Sequence, residues 1–515
     1  MMNRREFMIG SAAGMGMVAV SSGFLTSCAH PQAVVQSPRQ VAGGYFKSGF
    51  GVDEDLIRRV LNAAMEKGGD FADVFFQHRV SDYVGFEDGQ VNRAYAQVDL
   101  GCGIRVLKGE QTGFAFTEEL TEESLLKAAR TAGSIADAPR GRTVPEGPFA
   151  GVEMPSLYAR RPLWMDVTPE RKIAIARTVG ERMSALDGSV IKASTWFGDE
   201  DEAVLIASTD GILVEDIRPM TLLYANCTAK KGDRVESNGY SRSARRGNDM
   251  YDDVLMEEMA RRAVERTLIL FDAKVPPAGE MPVVLAPATS GILLHEAMGH
   301  GFEADFNRKG TSIFSSMMNK SIAEPFVTIV DTGLEKEARG ALNVDDEGTP
   351  GQRTTLVENG RLVSYLHDRI SAEFYQVPRT GNGRRESFRH VPMPRMRVTT
   401  MENGPHDPEE IIRSVKKGLY AVDFANGEVA IGAGDYSFYV KTGYLIEDGR
   451  LTAPVKDANL IGNGPDSLRK ITMVGNDREI DPGTWTCGKD GQSVPVGLGL
   501  PTVKVSAITV GGVNE

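Results

Sequence analysis

Cysteine is scarce in this sequence, which has four in 515 residues: Cys28, Cys102, Cys227 and Cys487. If Cys28 belongs to an N-terminal leader, three cysteines remain, and an odd number does not predict a disulfide framework. We therefore expect a fold that is held together by its hydrophobic core rather than by cross-links.

Positive charge is also in deficit, because Lys and Arg number 58 against 70 Asp and Glu and the formal net charge is −12. A nucleic-acid-binding protein needs a basic face, so nucleic acid is excluded as the expected partner. No run of residues after the N-terminal leader is long and apolar enough to span a membrane. The hydrophobic fraction of 41% is ordinary for a globular protein, and the length predicts two or more domains.

The first residues are typical of an export signal. Asn3-Arg4-Arg5-Glu6-Phe7 is a twin-arginine pattern, and a mildly apolar stretch follows it. Leu25-Thr26-Ser27-Cys28 resembles a bacterial lipobox, in which the cysteine carries a lipid; an ordinary signal peptide with an incidental cysteine is the alternative. We therefore expect residues 1–28 to be a twin-arginine lipoprotein-type signal and residues 29–48 to be a linker. The expected location is periplasmic or membrane-anchored.

Residues 49–275 alternate helix and strand signals, which predicts an α+β domain built on antiparallel sheet. The predicted helices are Val52 to Lys67, Thr121 to Ala136, Thr168 to Leu186 and Asp252 to Leu270. The predicted strands are Ala72 to Gln77, Ser81 to Glu87, Val91 to Leu100, Gly103 to Lys108, Gln111 to Thr117, Ser189 to Ala207 and Gly211 to Ala229. This domain has no cluster of titratable groups that indicates catalysis.

Pro276-Pro277-Ala278-Gly279 predicts a domain boundary, so residues 276–515 are expected to form a second domain. That region is rich in strand signals and has one clear helix, Pro408 to Lys417. Such a density of strands predicts a curled or barrel-like antiparallel sheet. The acidic run Asp345-Asp346-Glu347-Gly348 lacks the spacing of a calcium loop and is expected to be a solvated turn.

Two imidazoles and a carboxylate, those of His295, His300 and Glu296, lie within six residues. Neutral imidazole is the commonest protein ligand of a transition metal, and a glutamate beside the first ligand can take a proton from metal-bound water. Ligands at i and i+5 lie about 140° apart on an ideal helix, against about 40° for the usual i and i+4. Both histidines therefore reach one ion only if the helix bulges or ends between them.

Gly299 and Gly301 flank His300, and glycine allows the backbone to leave the helix there. We expect His295 and Glu296 on the last turn of a helix and His300 on the loop that follows. The alternative is a satisfied buried histidine with a chance neighbour.

A hydrolytic zinc site takes three protein ligands and keeps one position for water. Glu303 is the nearest candidate in sequence for the third ligand. Cys487 is the other, because it lies in a polar loop bounded by glycine, where an ordinary buried thiol is unusual. His367 and His390 are weaker candidates. Chemistry alone supports Cys487 and Glu303 equally.

Three separated blocks carry a resemblance to a known family: His295-Glu296-Ala297-Met298-Gly299-His300, the segment from Gly383 to Met396, and the segment from Cys487 to Thr502. In this order they resemble the TldD/PmbA metallopeptidases, and the similarity extends from about Asp53 to Val513. The resemblance implies an N-terminal α/β domain and a β-rich C-terminal domain that holds the metal. It also implies zinc ligation by His295, His300 and Cys487, with Glu296 as the general base.

The expected function is zinc-dependent hydrolysis of small or unfolded peptides, which the strand-rich domain would accept as extended chains. Arg384, Arg385 and His390 are candidates for oxyanion stabilisation, although arginines in a turn are more often solvated or structural. The resemblance further implies a homodimer, or a heterodimer with a metal-free PmbA/TldE-like subunit. The alternative is a non-catalytic peptide-binding or scaffold subunit, against which the retention of Glu296 argues.

Overall fold

The computed structural model describes residues 44–136, 144–159 and 163–512. The predicted signal, 1–28, and most of the predicted linker, 29–48, lie outside these ranges. Within them, no helix is long and apolar enough to cross a membrane.

The first region is built on one six-stranded sheet with the order β3-β2-β1-β4-β5-β6, in which every neighbouring pair is antiparallel. Its strands are β1 (Phe71–Glu87), β2 (Gln90–Lys108), β3 (Gln111–Thr117), β4 (Val190–Ser208), β5 (Leu213–Lys231) and β6 (Arg234–Ala244). Its helices are α1 (Tyr45–Phe50), α2 (Glu54–Ala64), α3 (Glu122–Gly133), α4 (Pro169–Leu186) and α5 (Asp253–Leu268).

Polar caps start three of these helices. The Asp53 side chain accepts a hydrogen bond from the Leu56 amide at 2.8 Å, and Asp252 does the same for Leu255 at the start of α5. The Thr121 hydroxyl accepts from the Ser124 amide at 3.3 Å and begins α3. Each cap pairs one of the amides that a helix start leaves without an internal partner.

The two faces of the sheet have different partners. Because side chains alternate along a strand, Val74 and Phe76 of β1 point to one face, where they pack with α2 and α3. Phe86, further along the same face, packs with α4 and α5. Phe75 points to the opposite face and packs against Phe388 of the second region. Helices therefore cover one side of the sheet and the second region packs on the other, while the first nine residues of β2 are exposed.

Two predicted strand breaks in this sheet are wrong. Ala72 to Gln77 and Ser81 to Glu87 form the single strand β1, and Val91 to Leu100 and Gly103 to Lys108 form the single strand β2. β1 is paired along both edges, so ladder hydrogen bonds carry its backbone through the polar residues between the predicted halves.

The second region contains a closed five-stranded barrel, in which strands β14-β7-β23-β17-β15 are paired in order and β14 pairs with β15. A six-stranded sheet, β10-β9-β8-β13-β22-β19, and two short hairpins accompany it. The strands are β7 (Gly279–Leu285), β8 (Ile329–Thr332), β9 (Arg353–Glu358), β10 (Arg361–Leu362), β11 (Gly383–Arg384), β12 (Met393–Pro394), β13 (Val398–Met401), β14 (Lys417–Ala430), β15 (Asp435–Glu447), β16 (Arg450–Val455), β17 (Ala458–Asn463), β18 (Ile471–Val474), β19 (Glu479–Ile480), β20 (Thr486–Lys489), β21 (Gln492–Pro495), β22 (Gly497–Leu500) and β23 (Val503–Gly511). The helices are α6 (Gly291–Leu294), α7 (Ala304–Arg308), α8 (Arg369–Tyr375), α9 (Pro408–Arg413) and α10 (Gly464–Arg469).

The predicted α+β class and the barrel-like C-terminal sheet are confirmed. The barrel is not wholly antiparallel, however, because β7 and β14 run parallel, with Leu419 beside Val283. Leu293 and Leu294 share one core cluster with barrel residues such as Phe438, so the short helix α6 is anchored on the barrel. This anchored helix leads directly into the histidine segment.

Candidate metal centre

The histidine segment follows a bulged helical path. Helix α6 ends at Leu294, a π-helical turn spans His295–Gly299, and a 3₁₀ turn spans His300–Phe302. A π turn closes hydrogen bonds between residues five apart, so it brings positions i and i+5 towards one face. The bulge that the spacing required is present, and the prediction that His300 lies on a loop is wrong.

The glycines beside His300 provide space rather than a helix exit. Gly299 has helical dihedral angles, φ −56° and ψ −50°. A Cβ at Gly299 would lie 2.1 Å from the Met396 sulfur, and one at Gly301 would lie 2.6 Å from the Phe314 ring. Both glycines are therefore needed where the bulged segment packs closely against its surroundings.

The predicted ligands come together. His295, His300 and Cys487 are buried, and one donor atom from each lies within 4.8 Å of the other two. The two imidazole centroids are 5.2 Å apart, and His300 Nε2 lies 3.4 Å from Cys487 Sγ. Neither ring nitrogen of His295 makes a hydrogen bond of ordinary geometry with the described residues. Two imidazoles and a thiol that converge in this way fit a metal ion.

The surroundings of Cys487 favour the form that binds metal. Burial alone would raise the pKa of its thiol, but the facing imidazoles of His295 and His300 outweigh burial and hold the pKa well below its usual range. The thiolate is the metal-binding form of cysteine. The Arg395 guanidinium, which is fully buried, donates to the Cys487 carbonyl and fixes the backbone of the same residue.

Glu303, the other candidate for the third ligand, lies behind His300. Its Oε2 accepts a hydrogen bond from His300 Nδ1 at 3.0 Å and lies 3.1 Å from the Lys489 ammonium. Burial would raise the pKa of this carboxyl, but Lys489 and His300 lower it to about 2. The structure thus places Cys487, and not Glu303, with the two histidine donor nitrogens.

Glu296 is the most accessible acidic group beside the three candidate ligands. Its side chain is 18% exposed, and its Oε2 lies 3.7 Å from Nε2 of His300. This is the same imidazole nitrogen that faces Cys487. The carboxylate therefore borders the ligand cluster and still reaches solvent.

The weaker candidates lie elsewhere. His367 packs with the rings of Tyr365 and Tyr375, and His390 Nδ1 lies 2.9 Å from the Ser387 hydroxyl. Arg384 is buried and donates to backbone carbonyls of Met396 and Pro495. These contacts give His390 and Arg384 structural partners away from the ligand cluster.

Two groups expected in turns are buried instead. Arg385 is buried and donates to the backbone carbonyl of Asp346 at 3.2 Å. Asp346 and Glu347, expected in a solvated turn, pair with Arg218 and Arg105 of the first region, each at 2.7 Å. A buried carboxylate requires such a partner, so these acids are part of the contact between the two regions.

Lys489 and Arg395 belong to the family blocks, but the sequence indicated no role for either residue. Lys489 follows Cys487 by two residues on strand β20, and residues two apart on a strand share a face. This spacing of two residues from Cys487 is the sequence feature that could have indicated Lys489. Arg395 lies 92 positions before Cys487 in the sequence, and only the tertiary fold brings the two together.

A cavity of about 470 Å³ lies beside the hairpin of β20 and β21 and is lined by Arg266, Asp481, Trp485 and Thr486. Thr486 is exposed whereas Cys487 is buried, as expected for neighbours on a strand. The cavity therefore lies on the opposite face of β20 from the ligand cluster.

The chain matches three models of one family: PmbA/TldA metallopeptidase domain 1 at residues 72–136, the central domain at 163–271 and the C-terminal domain at 278–512. It is also 40% identical over 463 residues to a protein named "Metalloprotease TldD homolog" from Haemophilus influenzae. That match covers 89% of this chain and 96% of the relative. The chain belongs to the PmbA/TldD metallopeptidase family. The predicted resemblance is confirmed.

Other members of the PmbA/TldD family are also similar. A "Zinc metalloprotease TldD homolog" from Saccharolobus solfataricus is 28% identical over 460 residues, which cover 88% of this chain and 99% of the relative. Two crystal structures show the same fold. One is a putative modulator of a DNA gyrase from Thermotoga maritima, with a TM-score of 0.72 and 23% identity over 89% of this chain and 100% of the other. The second is TldE from Thermococcus kodakarensis, with a TM-score of 0.69 and 18% identity over 89% and 99%.

The comparisons overturn the predictions of a twin-arginine signal and of a lipoprotein. The PmbA/TldD models begin at residue 72, and the matches to the Haemophilus relative and to TldE bring no support for an export signal or a lipid. Residues 1–28, with Cys28, lie outside the described residues. The predicted twin-arginine signal and lipoprotein are therefore wrong, and the cellular location stays a prediction.

Proposed function

We propose that this metallopeptidase-family protein is a zinc-dependent peptidase that hydrolyses small or unfolded peptides, with Glu296 as its general base. The observation that carries the proposal is the convergence of His295, His300 and Cys487 within 4.8 Å, beside a partly exposed carboxylate. Two nitrogen donors and one thiolate are ligands that suit zinc, and the Saccharolobus relative is named a zinc metalloprotease.

A catalytic site is favoured over a scaffold by the number of ligands. A structural zinc site is closed by four protein ligands, whereas a catalytic site has three. Among the described residues, the ligand cluster contains three side chains. Glu303, the carboxylate on the other side of the His300 ring, is already held by His300 and Lys489. This argues against the alternative of a non-catalytic peptide-binding or scaffold subunit.

A bound zinc ion would supply Lewis acidity and would lower the pKa of a water molecule that it holds. The chain itself provides the proton transfers. Glu296 is placed to accept a proton at its carboxylate and to deliver that proton to the nitrogen of the leaving amine. Because Glu296 is 18% exposed while the ligands are buried, it is the group of this cluster that can meet both solvent and substrate.

We further propose that the protein acts as a homodimer or pairs with a metal-free PmbA/TldE-like subunit. The similarity of its fold to TldE supports this proposal. The expected substrate is an extended peptide, which the strand-rich second region would bind through backbone hydrogen bonds.

The decisive experiment compares zinc content and peptide cleavage in three variants. Glu296→Gln should keep about one zinc per chain and lose about 10²- to 10⁴-fold in turnover, because the base is removed while the ligands remain. Cys487→Ser should lose the metal together with the activity. Glu324→Gln, at an exposed glutamate, is the matched control.

Zinc content is measured by elemental analysis, and cleavage is measured by mass spectrometry of a random peptide library. Parental cleavage by Glu296→Gln would refute its role as the base. Zinc-free parent protein after loading would refute the metal site itself.

A further inference from the structure

Glu303 connects the two chain segments that carry the candidate ligands. It follows His300 by three residues, and its Oε2 lies 3.0 Å from Nδ1 of that imidazole. The same oxygen lies 3.1 Å from the ammonium of Lys489, which follows Cys487 by two residues on β20. One carboxylate oxygen therefore contacts both the histidine segment and the cysteine strand.

The hydrogen bond from Nδ1 has a direct consequence for ligation. An imidazole that donates its Nδ1 proton to a carboxylate leaves the lone pair on Nε2. Nε2 of His300 is the atom that faces the Cys487 sulfur at 3.4 Å. The contact with Glu303 thus selects the tautomer and the ring orientation that a metal ion needs.

Lys489 is itself held in place, so it can hold Glu303. Its ammonium lies 2.8 Å from Oδ1 of Asp305 and donates to the Pro394 carbonyl at 3.0 Å. The side chains of Lys489 and Glu303 are 3% and 0% exposed. A buried charge pair with several hydrogen bonds has little freedom to move, and removing one partner leaves the other charge uncompensated.

We propose that Glu303 and Lys489 are positioning residues that set the geometry of the metal site before the ion binds. Glu303 orients His300, and Lys489 ties the strand of Cys487 to the same carboxylate. The inference rests on the proposed metal site and goes beyond it, because it assigns the zinc affinity partly to two residues that do not touch the metal.

The test measures zinc affinity by competition with a chromophoric chelator. Glu303→Gln and Lys489→Gln should each weaken zinc binding by about 10- to 100-fold, as is typical when the partner of a ligating histidine is removed. The double variant should lose less than the product of the two single losses, because both changes break one connection. Lys489→Arg should keep most of the zinc affinity that Lys489→Gln loses, because arginine keeps the positive charge. Glu324→Gln, at an exposed glutamate, is the control and should keep the parental zinc affinity.

A cobalt spectrum provides a second readout that does not depend on activity. Each variant should keep the thiolate-to-cobalt charge-transfer band of the parent, since Cys487 remains a ligand. Parental zinc affinity in both Gln variants would overturn the proposal, and so would a change in the number of cobalt ligands in Glu303→Gln, which would make Glu303 a ligand. If Glu303→Gln does not fold, Lys489→Gln decides. A parent that binds no zinc would instead refute the proposed function.

Discussion

His367 should make the stability of this protein dependent on pH, and the size of the effect follows from its burial. The imidazole is 3% exposed, lies against the rings of Tyr365 and Tyr375, and its Nδ1 has no hydrogen-bond partner among the described residues. Burial lowers the pKa of His367 to about 4. In the unfolded chain the pKa of histidine is about 6.5.

The sign follows from counting protons. Between about pH 6.5 and pH 4 the unfolded chain binds a proton at His367 and the folded protein does not, so acidification favours unfolding. The stability that neutral His367 contributes is complete above about pH 6.5 and is lost as the pH falls to about 4. The folded and unfolded pKa values of His367 differ by roughly 2.5, and at about 1.36 kcal/mol per pKa unit this difference corresponds to about 3 kcal/mol of unfolding free energy.

The assay compares urea unfolding of the zinc-free parent and of His367→Phe between pH 7.5 and pH 4.5, with chelator present throughout. Phenylalanine fills the ring volume without a titrating group, so the variant should lose less stability than the parent on acidification. Tyr375→Phe perturbs the same ring cluster, keeps the imidazole and should retain the parental slope. An identical pH dependence in the parent and in His367→Phe would refute the assignment.

Two further predictions concern buried contacts of the second region. Asp331→Ala should lower the free energy of unfolding by about 3–5 kcal/mol, because Arg397 and Asp331 pair at 2.9 Å with both side chains fully buried. A loss below about 1 kcal/mol in urea unfolding would contradict this prediction. Gly291→Ala should cost about 1–3 kcal/mol and weaken zinc binding, because its Cβ would lie 2.8 Å from the Gly499 amide nitrogen at the base of α6. Zinc titration and urea unfolding measure the two effects. Gly188→Ala is the control and should show neither effect, because nothing lies within 4 Å of its Cβ.

The fold was predictable where local signals and tertiary pairing agree. The turn at Lys108 and Gly109 correctly placed the start of β3 at Gln111. Gly101, in contrast, interrupts the sequence pattern of a strand, yet β2 continues through it. Glycine is needed there because a Cβ would lie 2.2 Å from the Phe388 ring. The need for this glycine comes from a residue that is remote in sequence, so no local sequence pattern could have indicated it. Strand β6, rich in serine and arginine, was missed for the same reason, since pairing with β5 defines it.

The sequence predicted the residue types of the candidate metal site, but it did not predict the backbone conformation that brings them together. The spacing of His295 and His300 required a break in helical geometry, and the structure provides a π turn where the sequence suggested a loop. The sequence pattern does not distinguish a helical bulge from the end of a helix, because glycine beside His300 is compatible with both structures. The choice between Cys487 and Glu303 depended on tertiary contacts, namely those of Glu303 with His300 and Lys489.

The closure of the barrel also constrains the order in which the chain can assemble during synthesis. Strand β7 is among the first elements of the second region, yet its partners β14 and β23 are made later, and β23 last of all. The helical face of the first sheet can bury itself early with α2 to α5, while the face that carries Phe75 must wait for Phe388. A nascent chain therefore exposes an apolar sheet face until Phe388 is made and an unpaired strand edge until β14 and β23 are made. These features are the ones that chaperones recognise and that promote aggregation.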